Sequence, residues 1–372
     1  MDYMFEYCRK LKYINLSSFK TENVKEMNYM FHSCSSLESL NLLNFNTTNV
    51  YSMDNMFSYC NSLKSISQNF DGKNVQYISR MFEYCSSLTS LDLKNFNAEN
   101  IISMHSVFYN CYSLTSIDLS SIKTKLVKDM EFLFSGCKSL KFINVSNFDT
   151  ENVTSMKAIF NHCNSLTSID ITSFNVKKVV DASYMFCSCY SLKSIDLSNF
   201  YMNKVNNIGK MFSCCYSLKS IDISSLRADF VEKMDALFYD CSSLEYINLS
   251  NLDTEFVNDM SSMFFNCSSL KSIDVSGFNT RSLNNIEEMF YNCGSLTSID
   301  LSNFDVVYVK SMDRMFYNCF NLSYVDISSF KTSLEPIYLF DNLPFHGEIL
   351  VKYNFFEKIK NQIPEDWNKT II

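Results

Sequence analysis

The chain has 372 residues, of which 47% are hydrophobic, with 33 Phe, 22 Tyr and 19 Met against 6 Gly and 3 Pro. That balance excludes a disordered, collagen-like or linker-rich protein, because such chains are rich in Gly or Pro and poor in aromatics. A net charge of −8 opposes the basic footprint of a nucleic-acid binder, and no apolar run of about 18 residues is present for a membrane span.

The N-terminal MDYMFEYCRKLKYINL lacks the basic start and unbroken apolar stretch of a signal peptide. It already belongs to a repeat. Phe recurs at 5, 31, 57, 82, 108, 134, 160, 186, 212, 238, 264, 290 and 316, thirteen copies at a period of 26 with one step of 25 after Phe57. Cys follows three residues after each Phe, from Cys8 to Cys319, and Leu three residues after that, from Leu11 to Leu322. The next segment alternates: in S-I-D-L-S at 298–302, Ile299 and Leu301 point one way and Ser298, Asp300 and Ser302 the other, the pattern of a half-buried strand. Phe304, Val309, Met312, Met315, Phe316 and Cys319 then follow at spacings that predict a connection and a short helical stretch with one apolar side.

One copy cannot bury its own apolar side chains, whereas stacked copies bury each against its counterpart in the next turn. The sequence therefore predicts an α/β leucine-rich-repeat solenoid of about thirteen 26-residue turns, with a parallel sheet on one face and short helical segments opposite. It is read as a single domain over 4–330, followed by a C-terminal cap over 331–372 that holds Pro336, Pro344, Pro364 and the only Trp, Trp367. Within the cap a strand is expected at 347–351, a helix around 355–363 and a closing piece around 367–372. No equivalent N-terminal cap is visible, so the first edge is expected to be guarded by Arg9, Lys10 and Lys12, covered by a partner or preceded by more chain, with end-to-end self-association as one consequence.

The succession C-x-x-L-x-x-I-x-L-x-x-F, as in Cys267 to Phe278, with M-F-x-x before it and T-x-x-V-x-x-M after it, as in Thr150 to Met156, resembles the repeat of BspA-like leucine-rich repeat surface proteins. The resemblance covers residues 4 to about 335. It implies a leucine-rich-repeat solenoid at a cell surface or outside the cell, associated with adhesion and protein binding. With no signal peptide visible, a cytoplasmic location stays open as the alternative.

Candidate chemistry is sparse. His32, His105, His162 and His346 sit at unrelated places in the repeat or in the cap and read as ordinary surface histidines. The repeating cysteines read as small, inert core residues. Cys187 and Cys214 fall outside the column beside Cys189 and Cys215, where four sulfurs could bind zinc or form a disulfide but lack C-x-x-C spacing. Neither a catalytic set, a metal set nor a cofactor site is expected.

Two surfaces are candidates for binding. The outward strand position is Asp92, Asp118, Asp170, Asp196, Asp222, Asp274, Asp300 and Asp326, a polar column whose crowded carboxylates are expected to have raised pKa values and could hold a cation. The residue after the inward Phe becomes Tyr239, Phe265, Tyr291 and Tyr317 in the last four copies, with Phe320 nearby, an aromatic stripe suited to a protein partner. The favoured reading is a non-enzymatic protein-binding or adhesion scaffold whose partner is a protein or a host or extracellular-matrix surface. A passive spacer and a metal-responsive repeat protein using the Asp column are the alternatives.

Overall fold

The computed structural model describes residues 1–227 and 229–372. The chain is a parallel β-solenoid in which successive 26-residue segments form successive coils. It divides into two units, the first built from residues 1–179 and 188–190, the second from residues 180–187 and 191–372.

In the first unit, β1 (Ser39–Leu42) pairs with β2 (Ser65–Gln68), and β3 (Ser116–Asp118) with β4 (Phe142–Asn144). All pairs are parallel and in register, so Ile117 faces Ile143 and Asp118 faces Asn144. A second ladder of single parallel bridges runs Glu26, Ser52, Tyr77, Ser103, Asp129, Ser155, just ahead of the M-F-x-x-C segments. Phe31, Phe57, Phe82, Phe108 and Phe134 form one continuous stack, with successive ring centroids 5.4–5.8 Å apart. Copy three, one residue short, closes through substitutes. Gln68 Oε1 accepts the Phe70 N–H at 2.6 Å. Gly72 donates to the Phe96 carbonyl at 2.6 Å where a Cβ would come within 2.2 Å of that oxygen.

In the second unit, β5 (Ser220–Asp222) pairs with β6 (Tyr246–Asn248), while β7 (Ser298–Asp300), β8 (Tyr324–Ile327), β9 (Glu348–Val351) and β10 (Asn368–Ile371) form one four-stranded parallel sheet. Its bridge ladder runs Asp181, Asn207, Lys233, Asp259, Asn285, Ser311. Helix α1 (Tyr353–Ile359) crosses between β9 and β10 and buries Phe355 and Ile359. The expected strand is present as β9, the helix starts two residues earlier and ends four residues earlier than expected, and the closing piece contains β10. Phe340 stacks on Phe316 at 5.6 Å, and Arg314, Phe316 and Asn318 donate to the carbonyls of Ile337, Leu339 and Asp341, so 336–342 is a degenerate further coil.

The predicted short helical segments within the repeat are instead chains of tight turns. Two residues of left-handed backbone flank each repeating Phe, such as Ala236 (φ 51°) and Asp240 (φ 59°), or Glu288 (φ 57°) and Asn292 (φ 57°). Left-handed residues every few positions break an α-helix. They also turn alternate N–H groups out of the coil: Ala236, Phe238 and Asp240 donate to Ser261, Met263 and Phe265 of the next coil, whereas Leu237, Tyr239 and Cys241 donate back to Met234, Ala236 and Phe238. Every amide of the segment is satisfied without a helix. Apolar spacing alone cannot distinguish this arrangement from a short amphipathic helix, because both bury one residue in three or four.

The strands are only three or four residues long for a related reason. At the strand end the outward Asp or Asn takes the N–H two residues on with its side chain, which ends the backbone ladder.

Candidate functional site

The cysteine column is structural. In every copy from Cys34 to Cys319 the thiol lies 3.1–3.3 Å from the carbonyl oxygen of a repeating Phe one coil back, donating to it as Cys241 does to Phe212 and Cys267 to Phe238. Burial pushes the thiols of Cys34, Cys60, Cys85 and Cys241 through Cys319 up, to about 12 at Cys34 and Cys319, which disfavours the nucleophilic thiolate. A side chain small enough for the coil spacing that still donates to a carbonyl explains Cys here better than apolarity alone. Cys187 and Cys214 are half-buried, and Cys189 and Cys215 are fully buried. Among the described residues one trio of His, Cys or carboxylate groups has ligand atoms within 4.8 Å of one another: His105, Asp129 and Glu131.

That trio was not expected from the sequence. His105 Nδ1 lies 3.2 Å from Asp129 Oδ2, and Glu131 accepts from Ser155 Oγ at 2.6 Å. Burial is the largest single influence on the Asp129 carboxyl and raises it, but the His105 hydrogen bond, the Glu131 amide and the neighbouring His105 and Arg80 together outweigh burial, and the net direction is downward. The signal was available: 105, 129 and 131 differ by 24 and 26, close to one period, so the three meet in adjacent coils. Arg80 stands 3.5 Å from His105 Nε2. A guanidinium only donates, so Nε2 is the acceptor and Nδ1 carries the proton towards Asp129. A metal on Nδ1 would protonate Nε2 against Arg80, donor against donor. The cluster is thus held together by hydrogen bonds from His105 to Asp129 and from Ser155 to Glu131, with the Arg80 guanidinium beside the far ring nitrogen.

The outward strand position pairs Asp118 with Asn144, Asp222 with Asn248 and Asp300 with Asp326, and the carboxylates at this position are engaged. Asp92, Asp118, Asp170, Asp196, Asp222, Asp274, Asp300 and Asp326 each accept at Oδ1 the backbone N–H two residues on, at 2.9–3.1 Å. Asn15, Asn41, Asn144 and Asn248 do the same at 3.0–3.2 Å. The expected upward pKa shift is reversed where a shift is resolved. Asp118 is held low by the Ser120 amide, and Asp170, Asp222 and Asp274 by the hydroxyls and amides of Thr172, Ser224 and Ser276. Hydrogen bonds to the charged form outweigh repulsion on a solvated face.

These groups have folded pKa values below their unfolded value of about 3.9, so their stabilisation is complete above that pH and is lost as pH falls through the folded value. Asp222→Asn keeps the turn, as Asn248 shows. We expect it to melt like the wild type at pH 7 but to lose less stability between pH 5 and 2, measured by circular dichroism. Equal acid sensitivity of the two proteins would remove Asp222 from the account.

The aromatic stripe comes together as one column. Ring centroids of Tyr239 and Phe265 are 4.6 Å apart, Phe265 and Tyr291 4.5 Å, and Tyr291 and Tyr317 5.0 Å, with planes within 10° of parallel. All four rings are half-buried. Amides run beside it: Asn266 donates to Asp240, Asn292 to Asn266 and, at 2.7 Å, Asn342 to Asn318. These residues hold the left-handed positions, which Asn and Asp tolerate. Phe320 does not join the column. It is 54% exposed and lies over Gly294 of the preceding coil. Exposed rings missed by the sequence reading are Phe230 and Phe256, stacked at 6.3 Å, each just before a repeating Val.

The profile of the family described as "Mycoplasma protein of unknown function, DUF285" matches residues 1–116, 104–226 and 210–330. The chain belongs to this family. No curated protein matches it. Among solved structures it is similar to the TLR13–ssRNA13 complex (14% identity, 94% of this chain and 52% of that one, TM-score 0.29). It is also similar to the functional domain of InlJ from Listeria monocytogenes, which includes a cysteine ladder (15% identity, 86% of this chain and 65% of that one, TM-score 0.27). The chain therefore spans about half and about two thirds of their lengths. In this DUF285 chain, no helix among the described residues is long and apolar enough to cross a membrane.

Proposed function

We propose that this chain is a non-enzymatic recognition scaffold that binds a protein partner through the column Tyr239, Phe265, Tyr291 and Tyr317. One observation carries the reading: four half-exposed rings held in a continuous stack at 4.5–5.0 Å. Stacking fixes their rotamers before any partner arrives, so little side-chain entropy remains to be lost on binding. A passive spacer has no need of such a patch. The Asp column, its Oδ1 atoms already taken by backbone amides, offers a cation or a partner less. The BspA-like resemblance extends the reading to adhesion at a cell surface.

The test is binding of the purified chain to immobilised extracellular-matrix proteins and to intact host cells. The variant Tyr239→Ala/Phe265→Ala/Tyr291→Ala/Tyr317→Ala should lose about 100-fold or more in affinity. Asp→Asn changes at 222, 274 and 300 should leave binding within about threefold, since rim polar groups contribute little. Undiminished binding by the ring variant, with a cooperative melt, rejects the column.

A further inference from the structure

The ring column stops one coil short of where the fold could carry it. Tyr239, Phe265, Tyr291 and Tyr317 each follow a repeating Phe, and the same position after Phe212 is Ser213. Phe265 stacks on one face of Tyr239, and on the side of the preceding coil the column position is Ser213, which has no ring to offer the other face. A cavity of about 350 Å³ opens there, lined by Lys210, Ser213 and Cys214 of one coil and Asp235, Ala236 and Tyr239 of the next, and it continues past Ala236 to Ser261 and Ser262 of the coil that carries Phe265. This lies in the range of about 300–1,000 Å³ typical of ligand pockets. A second small residue deepens it. Ala236 occupies the position that Tyr184 and Lys210 fill in the two preceding coils.

The rim has a definite polar character. Lys210 Nζ lies 3.6 Å from Asp235 Oδ2 and donates to Tyr184 Oη at 3.2 Å. A cation and an anion side by side disfavour a charged guest of either sign, since each would meet a like charge. A neutral group that both accepts and donates suits both: its oxygen accepts from Lys210 and its hydrogen goes to Asp235. A hydroxyl on a flat ring meets the rim and the other face of Tyr239 together.

We infer that this cavity receives the phenol side chain of a tyrosine on a partner protein, stacked on Tyr239 as the next ring of the column, with its hydroxyl between Lys210 and Asp235. The identity of the partner as a protein rests on the proposed function; the pocket's preference for a phenol does not. A phenylalanine ring would stack equally well but leave the ion pair covered and unsolvated, and a phosphotyrosine would bring its charge against Asp235.

Ligand-observed saturation-transfer NMR on the full chain tests this with N-acetyl-tyrosinamide, N-acetyl-phenylalaninamide and their O-phosphotyrosine counterpart. The tyrosine amide should bind about tenfold or more tightly than the other two, as sites built to bond a hydroxyl discriminate against its absence. Ser213→Tyr should fill the slot with the chain's own ring and abolish the signal while the melting temperature holds or rises. Ala236→Tyr is a second filling variant, at the position that Tyr184 occupies with the same left-handed backbone. Lys210→Met should bring the tyrosine and phenylalanine amides to within about twofold of each other by removing one of the hydroxyl's two partners.

No signal with the wild type, or an undiminished signal in a cooperatively folded Ser213→Tyr or Ala236→Tyr protein, overturns the inference. Phe265→Ala/Tyr291→Ala/Tyr317→Ala separates it from the proposed function, because that variant keeps Tyr239 and the cavity. Loss of matrix or cell binding in this triple variant but not in Ser213→Tyr overturns the cavity as the seat of a partner's tyrosine and leaves the column standing. Retained binding in the triple variant, with tyrosinamide still captured, upholds the pocket and rejects the column.

Discussion

Phe238→Ala will destabilise the second unit by about 3–5 kcal/mol, the range for removing a fully buried ring. Phe238 is 0% exposed and stacks between Phe212 at 5.6 Å and Phe264 at 5.9 Å. Its loss deletes two ring contacts at once, each worth about 0.5–1.5 kcal/mol beyond the buried area, and leaves a void walled by two rigid coils. Those coils cannot collapse into it, because Phe238 sits on a backbone whose amides already bond the next coil at 2.6–2.9 Å. In a solenoid each coil touches only its neighbours, so the defect weakens both interfaces of one coil and offers a place for the array to open. For a unit of this size the melting temperature should fall on the order of 10 °C. Circular dichroism and urea titration measure it, with Tyr239→Ala as the comparison one residue away. Tyr239 is half-buried and should cost far less. If both variants lose the same stability, the inner ring column is not what holds the coils together.

Trp367→Ala is the second change with a large expected effect, again about 3–5 kcal/mol. Trp367 is 3% exposed, its Nε1 donates to the Pro344 carbonyl at 2.9 Å, and its ring packs so closely on Gly347 that a Cβ there would come within 2.5 Å of it. The ring therefore clamps the segment that leads into β9, and β9 is the strand that covers β8. Removing it should loosen β9, α1 and β10 together and expose Val325, Ile327 and Phe330, all at most 1% exposed in the intact chain. Besides a lower melting temperature, the variant should show faster proteolysis within 331–372 and concentration-dependent association by light scattering, since an uncovered parallel edge with apolar neighbours pairs with other chains. A variant that melts lower but stays monomeric and protease-resistant would mean that Trp367 stabilises without closing the array.

The sequence made the stacking legible because a solenoid writes each core contact at one fixed separation. Phe, Cys, Leu and the inward Ile and Leu recur with the period, so their burial against their own copies followed directly, as did the alignment of Tyr239, Phe265, Tyr291 and Tyr317; beyond the last copy a strand and a helix were legible, whereas the closing piece was not legible as the strand β10. What failed was local. The segment around each Phe was read as helical because burial every third or fourth residue is shared by a helix and by a chain of turns; the left-handed backbone at residues as unlike as Ala236, Asp240, Glu288 and Asn292 has no compositional mark.

The same limit applied to single groups. An aspartate column reads as crowded charge until the Asx turns are seen to consume each Oδ1, which reverses the direction of the pKa shift. His105 looked solitary until one coil of rise brought Asp129 and Glu131 beside it. The empty ring position at Ser213 was written in the sequence, but whether neighbours would close over it was not, since that depended on Ala236 being small and Lys210 being drawn aside to Asp235 and Tyr184. Periodicity thus determined which residues meet their own counterparts, because that contact is set by separation along the chain. Only the tertiary structure decided which unlike residues meet, because that depends on the backbone angle at each turn and on which hydrogen-bonding groups the turns have already used.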